Sequence, residues 1–152
     1  MRLVLDSNIL GPLCHPAKKE NQELGSWFQG LLGLRPWKCT VYVPAISNYE
    51  VRRGLLHIAL RNGRSTTRSL ERLNLLISEL DYLPLTQNSL DRAAHLWAQS
   101  RHEGQATSGP EGLDGDAILA AQALEISGLV VTENVRHLSR YVSSHRWSEI
   151  DP

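Results

Sequence analysis

Asp6, Glu50 and Asp116 are carboxylates far apart in the chain, and each stands where an apolar run meets a turn or a helix. Asp6 follows Arg2–Leu5. Glu50 opens the helix read after Val41–Val43, and Asp116 begins the helix-forming run that continues to Ile126. Thr132 to Asn134 lie at and just past a fourth apolar run that starts at Leu129. In an open α/β sheet the ligand crevice lies beyond the carboxyl ends of the strands, near the point where strand order reverses. Four segments would then present oxygen atoms to one edge. Such a set suits a hard divalent cation, because Mg²⁺ takes oxygen donors. Without a counter-charge, crowded carboxylates repel one another or hold a proton.

Each acid also has a plain structural reading. Ser47 three residues before Glu50 makes a capping box, worth roughly 1 kcal/mol for the hydroxyl cap. Asp114 and Asp116 at a helix start cap it or favour its dipole, each worth about 0.3–1 kcal/mol. Asp6 is harder to explain this way, because an acid after a buried strand loses solvation unless it gains a partner. Other chemistries lack their residues. The six histidines (His15, His57, His95, His102, His137, His145) have no zinc spacing, and no phosphate-binding glycine loop occurs. Asp6-Ser7-Asn8 lacks the second aspartate of a haloacid-dehalogenase-type phosphatase. Cys14-His15 reads as a surface pair without a role.

The elements that must position the acids follow from periodicity. Arg2–Leu5 reads as a buried first strand ended by the turn-forming trio Asp6-Ser7-Asn8. Helices are expected over Glu20–Leu32, from Ser47 to about Arg61, over Thr66–Leu80, and from a cap at Asn88 or Ser89 through His102. Further strands are expected at Val41–Val43, Tyr82–Leu85 and Leu129–Thr132. A short helix through Leu138 and Tyr141 and a small edge strand at Trp147–Ile150 would follow. The stretch from Glu103 to Leu113 reads as an open loop beside the chemistry. Strands alternating with helices predict a parallel sheet covered on both faces.

Four blocks then resemble a known family: Leu3-Val4-Leu5-Asp6-Ser7-Asn8-Ile9-Leu10, Ile46-Ser47-Asn48-Tyr49-Glu50-Val51-Arg52-Arg53-Gly54, Leu113-Asp114-Gly115-Asp116-Ala117-Ile118-Leu119-Ala120-Ala121 and Val130-Val131-Thr132-Glu133-Asn134. In this order they are similar to the motifs of PIN domains, and most of all to toxin members of the VapC type. The resemblance implies a three-layer α/β/α fold with a mostly parallel central sheet, spanning residues 1–152 as one PIN-like domain. It implies an acidic site for Mg²⁺ or Mn²⁺, cleavage of RNA, homodimers and an antitoxin partner. By motif position Asp6, Glu50, Asp116 and Asn134 take the metal-binding and catalytic places. At this fourth place relatives carry Asp or Asn, and Asn134, a neutral amide, binds through one oxygen without adding charge. One firmly held metal is therefore expected. Ser7, Asp114 and Thr132 are candidates for orienting the ligands, whereas Glu133 should point away by strand alternation. Arg52 and Arg53 are candidates for RNA binding. Two other readings stand beside this one: a non-catalytic PIN-like module that grips RNA or protein, and a stand-alone PIN nuclease without antitoxin.

Composition agrees with an ordinary globular chain: 152 residues, 41% hydrophobic and 21% charged, enough to bury a core without staples. Cys14 and Cys39 form no C-x-x-C pair, which fits a reducing cytoplasm. No apolar run approaches a membrane span, and Met1-Arg2 leads straight into the first strand, which reads as no signal peptide. The formal net charge is zero, yet it is made of opposite blocks. Val51–Arg72 carries six arginines against Glu71, while Glu103–Glu133 carries six acids and no Lys or Arg. Thirteen of the sixteen Lys and Arg residues are arginine, whose planar fork suits phosphate.

Overall fold

The computed structural model describes residues 1–34, 38–64, 67–104 and 114–152. Five strands form one sheet: β1 (Arg2–Leu5), β2 (Thr40–Pro44), β3 (Asp81–Leu83), β4 (Leu129–Val131) and β5 (Ser144–His145). Seven α-helices connect and cover them: α1 (Ser7–Leu13), α2 (Gln22–Gly33), α3 (Ala45–Arg61), α4 (Arg68–Glu79), α5 (Gln87–His102), α6 (Gly115–Glu125) and α7 (Val135–Leu138). The strand order is β3-β2-β1-β4-β5 and every pairing is parallel. The predicted three-layer α/β/α architecture is therefore what the chain adopts.

Strand alternation divides the apolar side chains between two cores. Leu3, Leu5, Val41, Val43 and Val131 face a cluster with residues of α1 to α4, including Leu10, Phe28, Val51 and Leu73. Val4 and Val130 face the other side, against Ile118, Ala121, Ala123 and Leu138 of α6 and α7. Burial on both faces explains why the strands read as unbroken apolar runs. Gly128 is needed at the entry to β4, because a Cβ there would lie 2.8 Å from Val4 Cγ2. The residue in left-handed backbone is its neighbour Ser127, at φ 51°.

Several boundaries depart from expectation. Asp6-Ser7-Asn8 is not a terminal turn: Asp6 caps α1, which runs through Pro12 to Leu13. Pro12 lies in the last turn of that helix, which forgoes the bond that an N–H there would make to Asn8 O. Helix α3 begins at Ala45 after the extended Pro44, so Ser47 lies inside it, 1% exposed. Among the described residues the Ser47 hydroxyl has no hydrogen-bond partner, and α3 starts without a Ser47–Glu50 capping box. The cap of α5 is Thr86, which accepts from Ser89 N at 2.9 Å. The expected strand at Trp147–Ile150 is a 3₁₀ turn over Trp147–Glu149, and the edge strand is the preceding Ser144–His145. Trp147 meets Trp27, whose indole N–H donates to Ile150 O at 2.7 Å, and this aromatic docking replaces strand pairing. Most of the stretch expected as an open loop, residues 105–113, lies outside the described residues. Among the described residues no helix is long and apolar enough to cross a membrane.

Candidate active site

Strand order reverses between β1 and β4, and Asp6 and Thr132 stand side by side at their carboxyl ends. Asp6 N donates to Val131 O at 3.0 Å, which continues the sheet one residue beyond β1. The extended backbone of Asp6 turns its carboxylate back over the start of α1. Its Oδ1 accepts from Ser7 N at 2.6 Å and from Ser7 Oγ at 3.3 Å, and its Oδ2 accepts from Thr132 Oγ1 at 2.6 Å. Thr132 is fully buried, and its hydroxyl also accepts from Asn134 N at 2.8 Å and Asn8 Nδ2 at 3.1 Å. Asn8 Oδ1 receives Glu133 N at 3.2 Å, so Asn8 ties α1 to the turn after β4. Ser7 and Thr132 thus hold Asp6 in one orientation with lone pairs left over.

Helix α6 delivers the next acids from the opposite side. Asp114 caps it, accepting from Ala117 N at 3.1 Å. Asp116, two residues on, is held at a pKa of about 6, first by burial, then by the negative charges of Asp6 and Asp114. His137 on α7 pulls in the other direction, and Glu50 adds to the rise. Glu50 comes from the second turn of α3, and its carboxylate rests on the backbone of α6. A Cβ on Gly115 would lie 2.5 Å from Glu50 Oε1. The glycine between Asp114 and Asp116 leaves the room that Glu50 occupies.

The fold therefore brings Asp6, Glu50, Asp114 and Asp116 into mutual electrostatic range. Asn134 enters α7 without capping it, and its side-chain amide makes no hydrogen bond among the described residues. Glu133 points away, toward Arg146 at 3.8 Å. Arg53 lies over the Tyr49 ring and lines a groove of about 580 Å³ that opens at Ser7, Asn8 and Glu50. Arg52 instead turns to α4, donating to Asn48 Oδ1 at 3.2 Å and to Asn74 Oδ1 at 2.8 Å. Among the described residues no three His, Cys, Asp or Glu side chains close around a single point. The donors are nonetheless carboxylate oxygens, the type that a hard divalent cation takes. Asn8 and His137 were not picked out by the sequence. The only hint for Asn8 was its place in the trio after β1, and His137 carried none until α7 turned it inward.

An α/β protein with a carboxylate cluster at the switch point of a 3-2-1-4-5 parallel sheet is the class that these observations define. The family model described as PIN domain matches residues 3–142, and the chain belongs to that family. No curated protein sequence matches it. Solved structures with the same fold include VapBC2 from Rickettsia felis bound to a promoter DNA fragment, with a TM-score of 0.70 at 16% identity. FitAcB from Neisseria gonorrhoeae gives 0.69 at 21%, and a toxin-antitoxin complex from Klebsiella pneumoniae gives 0.62 at 18%. In all three the match covers 97% of this chain and 99% of the other.

Proposed function

We propose that this chain is a Mg²⁺- or Mn²⁺-dependent endoribonuclease and the toxin of a two-component toxin-antitoxin pair. The observation that carries the reading is the convergence of acids from the end of β1, from α3 and from the start of α6 around Asp116, whose carboxyl is pushed up first by burial and then by these charges. Asp6, Glu50, Asp116 and Asn134 would hold the metal. When bound, it would supply Lewis acidity and lower the pKa of a coordinated water. The chain's own contribution is positional. Ser7 and Thr132 keep Asp6 aimed at the cluster. Asp116 would hold the cation in its carboxylate form, and Arg53 lies in the groove where a phosphate beside the scissile one would run. Attack of water at the phosphorus would leave a 5′-phosphate and a 3′-hydroxyl.

The likeness to structures that pair two proteins supports an antitoxin partner, and the homodimer belongs to the same reading. Neutral Asn134 favours one alternative, a PIN module that binds RNA without cutting it. Two measurements separate them. Calorimetric titration of Mn²⁺ should show uptake that Asp6→Asn abolishes. Structured RNAs should be cleaved by the wild type, stop being cleaved with chelator, and resist Asp116→Asn. Equal cleavage by wild type and Asp116→Asn would overturn the mechanism, and absence of metal uptake would leave the binding module.

A further inference from the structure

The groove that leaves the acids does not end at α1. It runs between α1 and α3 past Arg53 to His15 and Lys18. The same two residues wall a second hollow of about 350 Å³, closed on its far side by Arg68, Ser69 and Arg72 of α4. Cys14 and His15, expected as an idle surface pair, form part of this wall. Cys14 is 3% exposed and donates to Leu10 O at 3.3 Å, and burial pushes its thiol up to about 11. It therefore stays neutral despite the nearby guanidinium groups of Arg72 and Arg52. His15 Nδ1 lies 2.9 Å from Ser69 Oγ, and burial together with Lys18 holds the ring below its ordinary pKa.

The hollow thus contains three cations and no anion of its own. Among the described residues no carboxylate pairs with Lys18, Arg68 or Arg72. The Nε of Arg72 is buried without a hydrogen-bond partner among the described residues. A desolvated, unpaired guanidinium N–H is costly to leave unmet, and a charged oxygen is its strongest acceptor. We propose that this hollow is a second phosphate subsite, in which Lys18, Arg68, Arg72 and the Ser69 hydroxyl hold a backbone phosphate of the RNA strand away from the cleaved bond. The proposal rests on the ribonuclease reading. A polynucleotide is favoured over an acidic protein segment because the hollow and the groove share walls, so one strand leaving the acids meets both. A run of regularly spaced phosphates fits that continuity.

The test measures binding on Asp116→Asn protein, which should not cut, using labelled single-stranded RNA oligonucleotides of increasing length over a salt series. Long oligonucleotides should bind more tightly than short ones. Lys18→Gln, and Arg68→Gln with Arg72→Gln, should each reduce the salt slope for long RNA, by up to about 0.7, as the loss of one single-strand phosphate contact requires. The double variant should bind long RNA about tenfold more weakly and the shortest RNA unchanged, with recovery of the slope in the paired Arg→Lys variant. Lys18 is exposed, so its variant gives an answer even where the arginine changes disturb folding. Unchanged slopes in both variants would overturn the subsite. So would binding of a poly-glutamate peptide through these cations with RNA affinity untouched, which would assign the hollow to a protein. Failure of the wild type to cleave RNA defeats the ribonuclease reading instead. Asp116-dependent cleavage with unaltered salt slopes defeats the subsite alone.

Discussion

Gly115 carries no side chain, and the carboxylate of Glu50 fills the space that one would need. Gly115→Ala should therefore leave the fold intact, or stabilise α6 by up to about 1 kcal/mol, since alanine is the better helix former. The yielding atom is the end of a flexible side chain, so Glu50 is the part that moves. Mn²⁺ affinity, read by calorimetry, should fall about 10–100-fold while the melting temperature holds. Unchanged affinity would mean that Glu50 does not act from this position. Glu50→Gln gives the complementary result. With Ser47 inside α3 there is no capping box to lose, so stability should change by less than about 0.5 kcal/mol in a urea melt while metal uptake drops. The three acids were legible because a carboxylate after a buried strand or at a helix start needs a reason. Their supports were not. Asn8 acts through Thr132 and Glu133, more than a hundred residues away, and no local spacing encodes such a contact.

Apart from α1 and the edge strand β5, existence and type of the elements followed from apolar periodicity, because both faces of the sheet are covered and most helices bury one stripe. Their starts did not, because starts depend on what the first turn meets in space. Helix α3 shows the reason. Ile46 N donates to the side-chain oxygen of Gln122 at 3.2 Å, and Gln122 Nε2 donates in turn to Leu83 O at 2.8 Å and Pro84 O at 3.0 Å. This fully buried amide on α6 clamps the first turn of α3 and the end of β3, and so sets the height at which Glu50 reaches Gly115. In the sequence Gln122 is one polar residue in an alanine-rich helix, with nothing to mark its partners. Gln122→Leu would leave an N–H and two carbonyls unmet and should cost about 2–4 kcal/mol in urea unfolding. Mn²⁺ affinity measured well below the transition should weaken too, because α3 and α6 are no longer held in register. A loss of stability with metal affinity unchanged would show that the clamp serves the fold alone.

Across the whole molecule, the opposite charge blocks seen in the sequence flank one site. The arginine-rich stretch becomes α3 and α4, beside the groove. The acid-rich stretch supplies Asp114 and Asp116 at the start of α6. Composition revealed the segregation but not the convergence, which needs the strand order. Its consequence is a pH dependence with a definite sign. Asp116 sits near its ordinary value of 3.8 when unfolded and at about 6 when folded. Between these values the folded state binds more protons, so this group's contribution is most favourable below pH of about 4 and declines as pH rises to about 6. Metal-free protein kept in chelator should therefore be less stable at about pH 8 than at about pH 5, by about 1 kcal/mol from this group after partial solvent screening, since pH 5 already lies above its unfolded value. Asp116→Asn should remove that difference and raise the melting temperature of the metal-free protein above neutrality. On the proposed reading Mn²⁺ takes the deprotonated cluster, so it should restore wild-type stability most at high pH and do little for the variant. Thermal melts of both proteins at the two pH values, with chelator and with Mn²⁺, read all of this. Equal pH dependence in wild type and variant would show that the repulsion at Asp116 is not what the empty cluster costs the fold.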